Sequence, residues 1–145
     1  MKRKRKLSKI AAIFMITAML MQLLPAAVYA DDPLTYIDGS GTYEYENNGD
    51  GTATITYFAP VAGVTEITVP DAVYGLDVTV IGDYVFYSKG LNSITIPARV
   101  EEIGEYSFAE NNLTSLTIPH GVTSIGEGAF CSSVNGHLIQ TSLPK

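Results

Sequence analysis

The chain has 145 residues, with 9 Lys and Arg against 15 Asp and Glu, 2 His and a single Cys. Six of the nine basic residues fall within the first nine positions, so residues 31–145 carry three cations against fifteen carboxylates, a net charge of −12. A surface that acidic repels phosphate backbones and argues against nucleic-acid binding; a lone Cys131 excludes an intrachain disulfide and a thiolate metal site.

The N-terminal segment reads as a secretory signal. Lys2, Arg3, Lys4, Arg5, Lys6 and Lys9 form a basic region, an apolar run follows from Ile10 to Leu24, Pro25 breaks it, and Val28-Tyr29-Ala30 offers small residues for cleavage after Ala30. The apolar run is about 15 residues, short of the roughly 20 needed to span a bilayer. Residues 1–30 are therefore assigned to a signal peptide, and no membrane association is expected once it is cleaved.

Residues 31–41 are polar and Gly-containing and read as a linker. Thr42 to Glu46 and Thr52 to Phe58 alternate in polarity around the turn cluster Asn47-Asn48-Gly49-Asp50-Gly51. This is the pattern of a β-hairpin. Residues 42–63 are assigned to an N-terminal hairpin that caps the first coil of the segment from Val64 onward. The Asn-Gly-Asp-Gly run lacks the further acidic ligands of a calcium loop, and its glycines suit the positive φ of a hairpin turn.

The rest of the chain repeats. Leu91, Ile94, Ile96, Pro97, Val100, Ile103, Gly104 and Phe108 fall on Leu113, Leu116, Ile118, Pro119, Val122, Ile125, Gly126 and Phe130, an offset of 22 residues without a gap. An earlier copy begins at Val64, with five extra residues between Pro70 and Val78, and returns to the same offset at Gly82 and Phe86. Apolar residues at L-x-x-L-x-L spacing with a fixed period predict a leucine-rich-repeat solenoid. The fold expected is mainly β, with about three 22-residue coils at residues 64–90, 91–112 and 113–137.

Within a coil, Ile94 and Ile96 point inward and Ser93 and Thr95 outward. Pro97 ends the strand, Gly104 permits a tight bend, and Glu105 to Phe108 form a short helical turn. Phe86, Phe108 and Phe130 would stack as an aromatic column. Cys131 is expected to be a small filler residue where the coil turns. Leu138 to Pro144 matches the opening L-x-x-L-x-L-P except at Thr141, and Leu138 follows Phe130 by eight positions where five are expected. Residues 138–145 thus read as the start of a truncated or degenerate fourth repeat.

The run LTSLTIPHGVTSIGEGAF at 113–130 and the lead-in GLDVTVIGDYVF at 75–86 resemble the BspA-type leucine-rich repeats of bacterial surface proteins. The segment YEYENNGDGTATITYF at 43–58 is similar to the hairpin that often precedes such arrays. The resemblance covers about residues 42–130. It implies secretion, a parallel-stranded solenoid and adhesion to extracellular macromolecules.

No catalytic constellation stands out. His120 follows the repeat Pro at a solvent-facing turn, His137 lies in the atypical spacer, and neither has a spaced partner for a metal. No G-x-S-x-G elbow or phosphate loop is present. An enzyme and a cofactor are not expected. The candidate binding residues are the outward ladder Glu66, Thr68, Ser93, Thr95, Ser115 and Thr117, with exposed tyrosines beside it. The expected function is a secreted or cell-surface binding protein that contacts extracellular protein or polysaccharide. The alternative is a recognition or spacer module from a longer wall protein or exoenzyme.

Overall fold

In the computed structural model, the structure describes residues 33–133 and the strand at 138–139. The signal peptide assigned to 1–30 and the segment 140–145 lie outside the described residues. The described part is mainly β, and it contains no helix.

Three antiparallel strands open the fold: β1 at Leu34–Ile37, β2 at Gly41–Asn47 and β3 at Thr52–Pro60. The segment 31–41 read as a linker is therefore in part a strand. Leu34 pairs with Tyr45 and Ile37 with Thr42. A short alternation of Leu34 and Tyr36 with polar residues was too brief to signal a strand, but Tyr36 packs on Tyr43 at 6.2 Å. The turn between β2 and β3 is held by its own side chains. Asp50 Oδ1 accepts from Thr52 N at 3.0 Å and Thr52 Oγ1 at 2.6 Å, and Asn47 Oδ1 accepts from Gly49 N at 2.8 Å. Gly49 and Gly51 both have positive φ. Those hydrogen bonds from Thr52 hold the Asp50 carboxyl below its ordinary range.

The repeats come next, in two sets of parallel strands. β4 (Glu66–Thr68) pairs with β7 (Ser93–Thr95). β6 (Leu76–Ile81) pairs with β8 (Glu102–Ile103), and β8 pairs with β10 (Ser124–Ile125). β3 joins this second set by parallel pairing with β6, which places the N-terminal sheet over the end of the first copy. The five extra residues of the first copy form a tight hairpin. In it β5 (Ala72–Val73) runs antiparallel to β6, and Tyr74 and Gly75 turn with φ of 48° and 87°. Two successive positive φ values are what a two-residue hairpin turn requires.

An aromatic column runs through the core beside buried Ile81, Ile94, Ile103 and Leu116. Phe86, Phe108 and Phe130 stack at 5.3 and 5.5 Å with ring planes within 5° and 7° of parallel. Phe58 of β3 continues the column at 5.2 Å from Phe86, and Tyr43 adds a ring 4.6 Å from Phe58. The segments expected as helical turns are hydrogen-bonded turns without a helix. Single bonds such as Ala109 N to Tyr106 O at 3.1 Å close each turn, while other amides reach the next copy: Tyr84 N to Glu105 O at 2.9 Å, Phe86 N to Ser107 O at 2.8 Å and Phe108 N to Ala129 O at 2.9 Å. Tyr84 and Tyr106 adopt φ of 58° and 49°, and Gly128 has 62° at the same offset. A left-handed residue in every copy cannot propagate a right-handed helix.

Gly104 has a different role from the bend expected of it. A Cβ there would lie 2.5 Å from the Gly82 carbonyl carbon and 2.6 Å from Asp83 N. Gly126 repeats this, with Gly104 C at 2.7 Å and Glu105 N at 2.5 Å. The column Gly82, Gly104, Gly126 is where backbones of adjacent copies touch, and Gly104 N reaches Ile81 O at 2.7 Å there. Gly104→Ala is expected to cost about 2–3 kcal/mol, the upper end for overpacking because backbone cannot move aside as a side chain does. Chemical denaturation of wild type and variant measures it, and an unchanged midpoint would remove the close-approach explanation.

Tyr43 is fully buried and its hydroxyl sits 2.8 Å from Ser40 Oγ. Burial, the dominant cause, pushes its pKa from 10.0 to about 12. The folded protein therefore keeps a proton that the unfolded chain loses at lower pH. The contribution is whole below pH 10.0 and is lost as pH rises through about 12. Stability measured between pH 9 and 12 is expected to fall, and Tyr43→Phe to flatten that fall.

Candidate functional site

The outward ladder starts from strict alternation. In β4 and β7 the central Ile67 and Ile94 are buried while Glu66, Thr68, Ser93 and Thr95 are exposed. Glu66 pairs with Ser93 and Thr68 with Thr95. In the next copy, Ser115 precedes β9 (Leu116–Thr117), Leu116 is buried, and Ser115 and Thr117 are exposed. All six ladder residues therefore face solvent, each at the position its repeat assigns.

The ladder is not continuous. β7 pairs with β4, and β9 pairs with β11 (Leu138–Ile139), but β7 and β9 do not form a ladder with each other. The backbone shows where they part. Asn92 N reaches Thr65 O at 2.7 Å, and the equivalent bond one copy later, Thr114 N to Asn92 O, is 3.3 Å. On the glycine side the equivalent bonds stay at 2.7 Å, Gly104 N to Ile81 O and Gly126 N to Ile103 O. The two copies are thus splayed on the ladder side and closed on the other.

The splay opens a surface groove of about 410 Å³. Ser93, Thr95, Ser115 and Thr117 line it, with Ala98 and Pro119 at one end. Four of the six ladder residues come together here, while Glu66 and Thr68 stand outside on β4. Sequence reasoning missed the groove because Ser93-x-Thr95 and Ser115-x-Thr117 are the same pattern, and identical patterns carry no sign of a break between them.

No charged side chain lines this groove. Elsewhere charge is one-sided. Arg99 pairs with Asp77, and Lys89 lies 4.6 Å above the Tyr57 ring. A second, smaller hollow of about 220 Å³ on the β6–β8–β10 wall is acidic, with Asp83, Glu102 and Glu105. Asp83 Oδ1 there accepts from Glu105 N at 2.8 Å. Among the described residues no group of three or more His, Cys, Asp or Glu is placed to hold a metal ion.

The remaining sequence candidates divide. Tyr43 and Tyr45 are buried, whereas Tyr57, Tyr74, Tyr84 and Tyr87 are exposed. His120 is exposed on its turn. His137 lies outside the described residues. Cys131, expected as a filler, is exposed, although Ala109 at the same repeat position is buried. The strand β11 also changes the reading of the last repeat. Leu138 pairs with Leu116 and Ile139 with Thr117, so Leu138 keeps the 22-residue offset and takes the place of Leu116, not Leu113.

The model of the BspA type leucine rich repeat region matches residues 56–144, in 6 copies. The chain belongs to this family. Among solved structures, this BspA-type chain is similar to a leucine-rich repeat protein from Bacteroides capillosus. Identity is 26% and the TM-score 0.52, covering 72% of this chain and 96% of that one. A leucine rich cell surface protein from Faecalibacterium prausnitzii matches at 20% identity and TM-score 0.29, over 71% of this chain and 53% of that one. A leucine-rich repeat protein from Bacteroides ovatus matches at 19% identity and TM-score 0.32, over 66% and 38%. No curated protein matches the chain.

Proposed function

We propose that this BspA-type chain is a secreted or cell-surface recognition module that binds an extracellular macromolecule, protein or polysaccharide, without catalysis. In this reading residues 64–137 form a solenoid of three 22-residue coils, and residues 1–30 are removed on export. The observation that carries it is the ladder. Six small or polar side chains stand outward at one repeat position after another, over buried Ile67, Ile94 and Leu116. Stacked repeats of this kind present extended surfaces that serve binding.

The basic-then-apolar N-terminus supports export. The acidic balance of residues 31–145 supports a partner other than nucleic acid.

The test uses the secreted product against immobilised extracellular proteins and polysaccharides. The double variant Thr95→Lys, Thr117→Lys is expected to weaken binding at least about tenfold, since it places two long charged side chains in the contact. Its melting temperature should stay within about 2 °C, because exposed substitutions cost little stability. Binding that is unaltered in the double variant would take the function off the ladder. A product of residues 31–145 in the medium, seen by intact mass, checks the cleavage site.

A further inference from the structure

We infer that the groove between β7 and β9 binds an uncharged segment of polysaccharide. This rests on the recognition reading and narrows it to one site and one ligand class.

The first argument is chemical. Hydroxyls of Ser93, Thr95, Ser115 and Thr117 line the groove. A hydroxyl both donates and accepts. A ligand that matches four such groups is one whose own groups also do both, as sugar hydroxyls do. Beneath them Ile94 and Ile96 are 5% and 6% exposed and supply an apolar floor. A sugar ring presents both characters, hydroxyls at its rim and C–H bonds on its face.

The second argument is charge. Residues 31–145 carry a net −12, yet no carboxylate lines the groove. An anionic polymer is repelled by the surrounding surface. A cationic one is drawn to carboxylates such as those of the acidic hollow, which lies on the β6–β8–β10 wall. The groove is left to neutral ligands.

The third argument is shape. A protein partner gains most of its affinity from aromatic or Arg anchors in a desolvated pocket. This groove has no aromatic or Arg side chain in its lining. Its volume of about 410 Å³ falls within the roughly 300–1,000 Å³ of ligand clefts. Its polar groups recur from one coil to the next, which suits a chain of repeating units.

The experiment is affinity electrophoresis of the secreted product in gels containing soluble neutral glucan, mannan or xylan, with hyaluronate and polygalacturonate as anionic comparators. At least one neutral polymer is expected to retard the protein, and neither anionic polymer to do so. Thr95→Glu and Thr117→Glu should each weaken the retardation at least about tenfold. Thr35→Glu, exposed on β1, should leave it unchanged. Near-UV circular dichroism of each variant verifies folding.

Retardation that survives both groove variants would place the glycan elsewhere and overturn the inference. Binding to an immobilised protein, abolished by the same variants and without polysaccharide retardation, would overturn the ligand class while leaving the recognition reading intact. Absence of binding to any polysaccharide or protein would remove both.

Discussion

Phe108→Ala is expected to destabilise the protein by about 4 kcal/mol, within the range for a large buried aromatic. The ring is fully buried between Phe86 at 5.3 Å and Phe130 at 5.5 Å, nearly parallel to both. Truncation removes both stacking partners and leaves a cavity that the surrounding backbone resists closing, because hydrogen bonds between copies hold the turns on either side of it. The melting temperature should fall by roughly 15 °C. In a stack whose copies contact only their neighbours, the loss of one interface also uncouples what lies beyond it. Hydrogen exchange should therefore show residues 113–133 opening at a lower free energy than residues 41–60. Phe130→Ala serves as the comparison. Its ring is half-buried and has Phe108 on one side, so it should cost about half as much. Equal effects at the two positions would mean that stacking along the column is not what holds the copies together.

Asn111→Ala is the second large effect, about 3–4 kcal/mol from leaving buried backbone groups unpaired. Asn111 is 4% exposed and its amide is fully used. Oδ1 accepts from Leu91 N at 3.0 Å and Lys89 N at 3.1 Å. Nδ2 donates to Phe86 O at 2.7 Å, Phe108 O at 2.9 Å and Ala109 O at 3.2 Å. One side chain thus ties two consecutive copies through main-chain groups that face away from water. Asn111→Asp separates the two halves of this role. It retains an acceptor but presents carbonyl oxygens with a carboxylate, so it should be at least as damaging as Ala at pH 7. It should recover part of the loss at low pH, where the acid can donate. A variant as stable as wild type at pH 7 would show that the bridge does not bear on stability.

The two positions were not equally visible in the sequence, and the contrast explains what a repeat can and cannot convey. Phe108 stands in a column with Phe86 and Phe130 because all three copies keep a Phe at one offset. Periodicity reports whatever every copy shares, so the inward Ile94 and Ile96 and the outward Ser93 and Thr95 were legible from spacing alone. Asn111 shares its position with Lys89 and Ser133. A bridge made once leaves no periodic trace, and its role depends on which carbonyls the neighbouring copy turns toward it.

The same distinction holds at Gly104. The repeat marked Gly82, Gly104 and Gly126 as required, but the reason lies between copies rather than within one, since the forbidden atom belongs to the copy before. It holds too for the turns expected to be helical. Spacing allowed a helical turn over Glu105 to Phe108; pairing of Phe108 N with Ala129 O across copies decided otherwise.

By itself, then, the sequence determined the period, the inward and outward faces, the aromatic column and the acidic, thiol-poor chemistry of the chain, because each arises from residue type at a repeated offset. The tertiary structure decided three things: the strand at Leu34–Ile37, the Asn111 bridge, and the splay between β7 and β9 that gathers Ser93, Thr95, Ser115 and Thr117 into one groove. These depend on distances between copies, which a pattern that treats every copy alike does not encode.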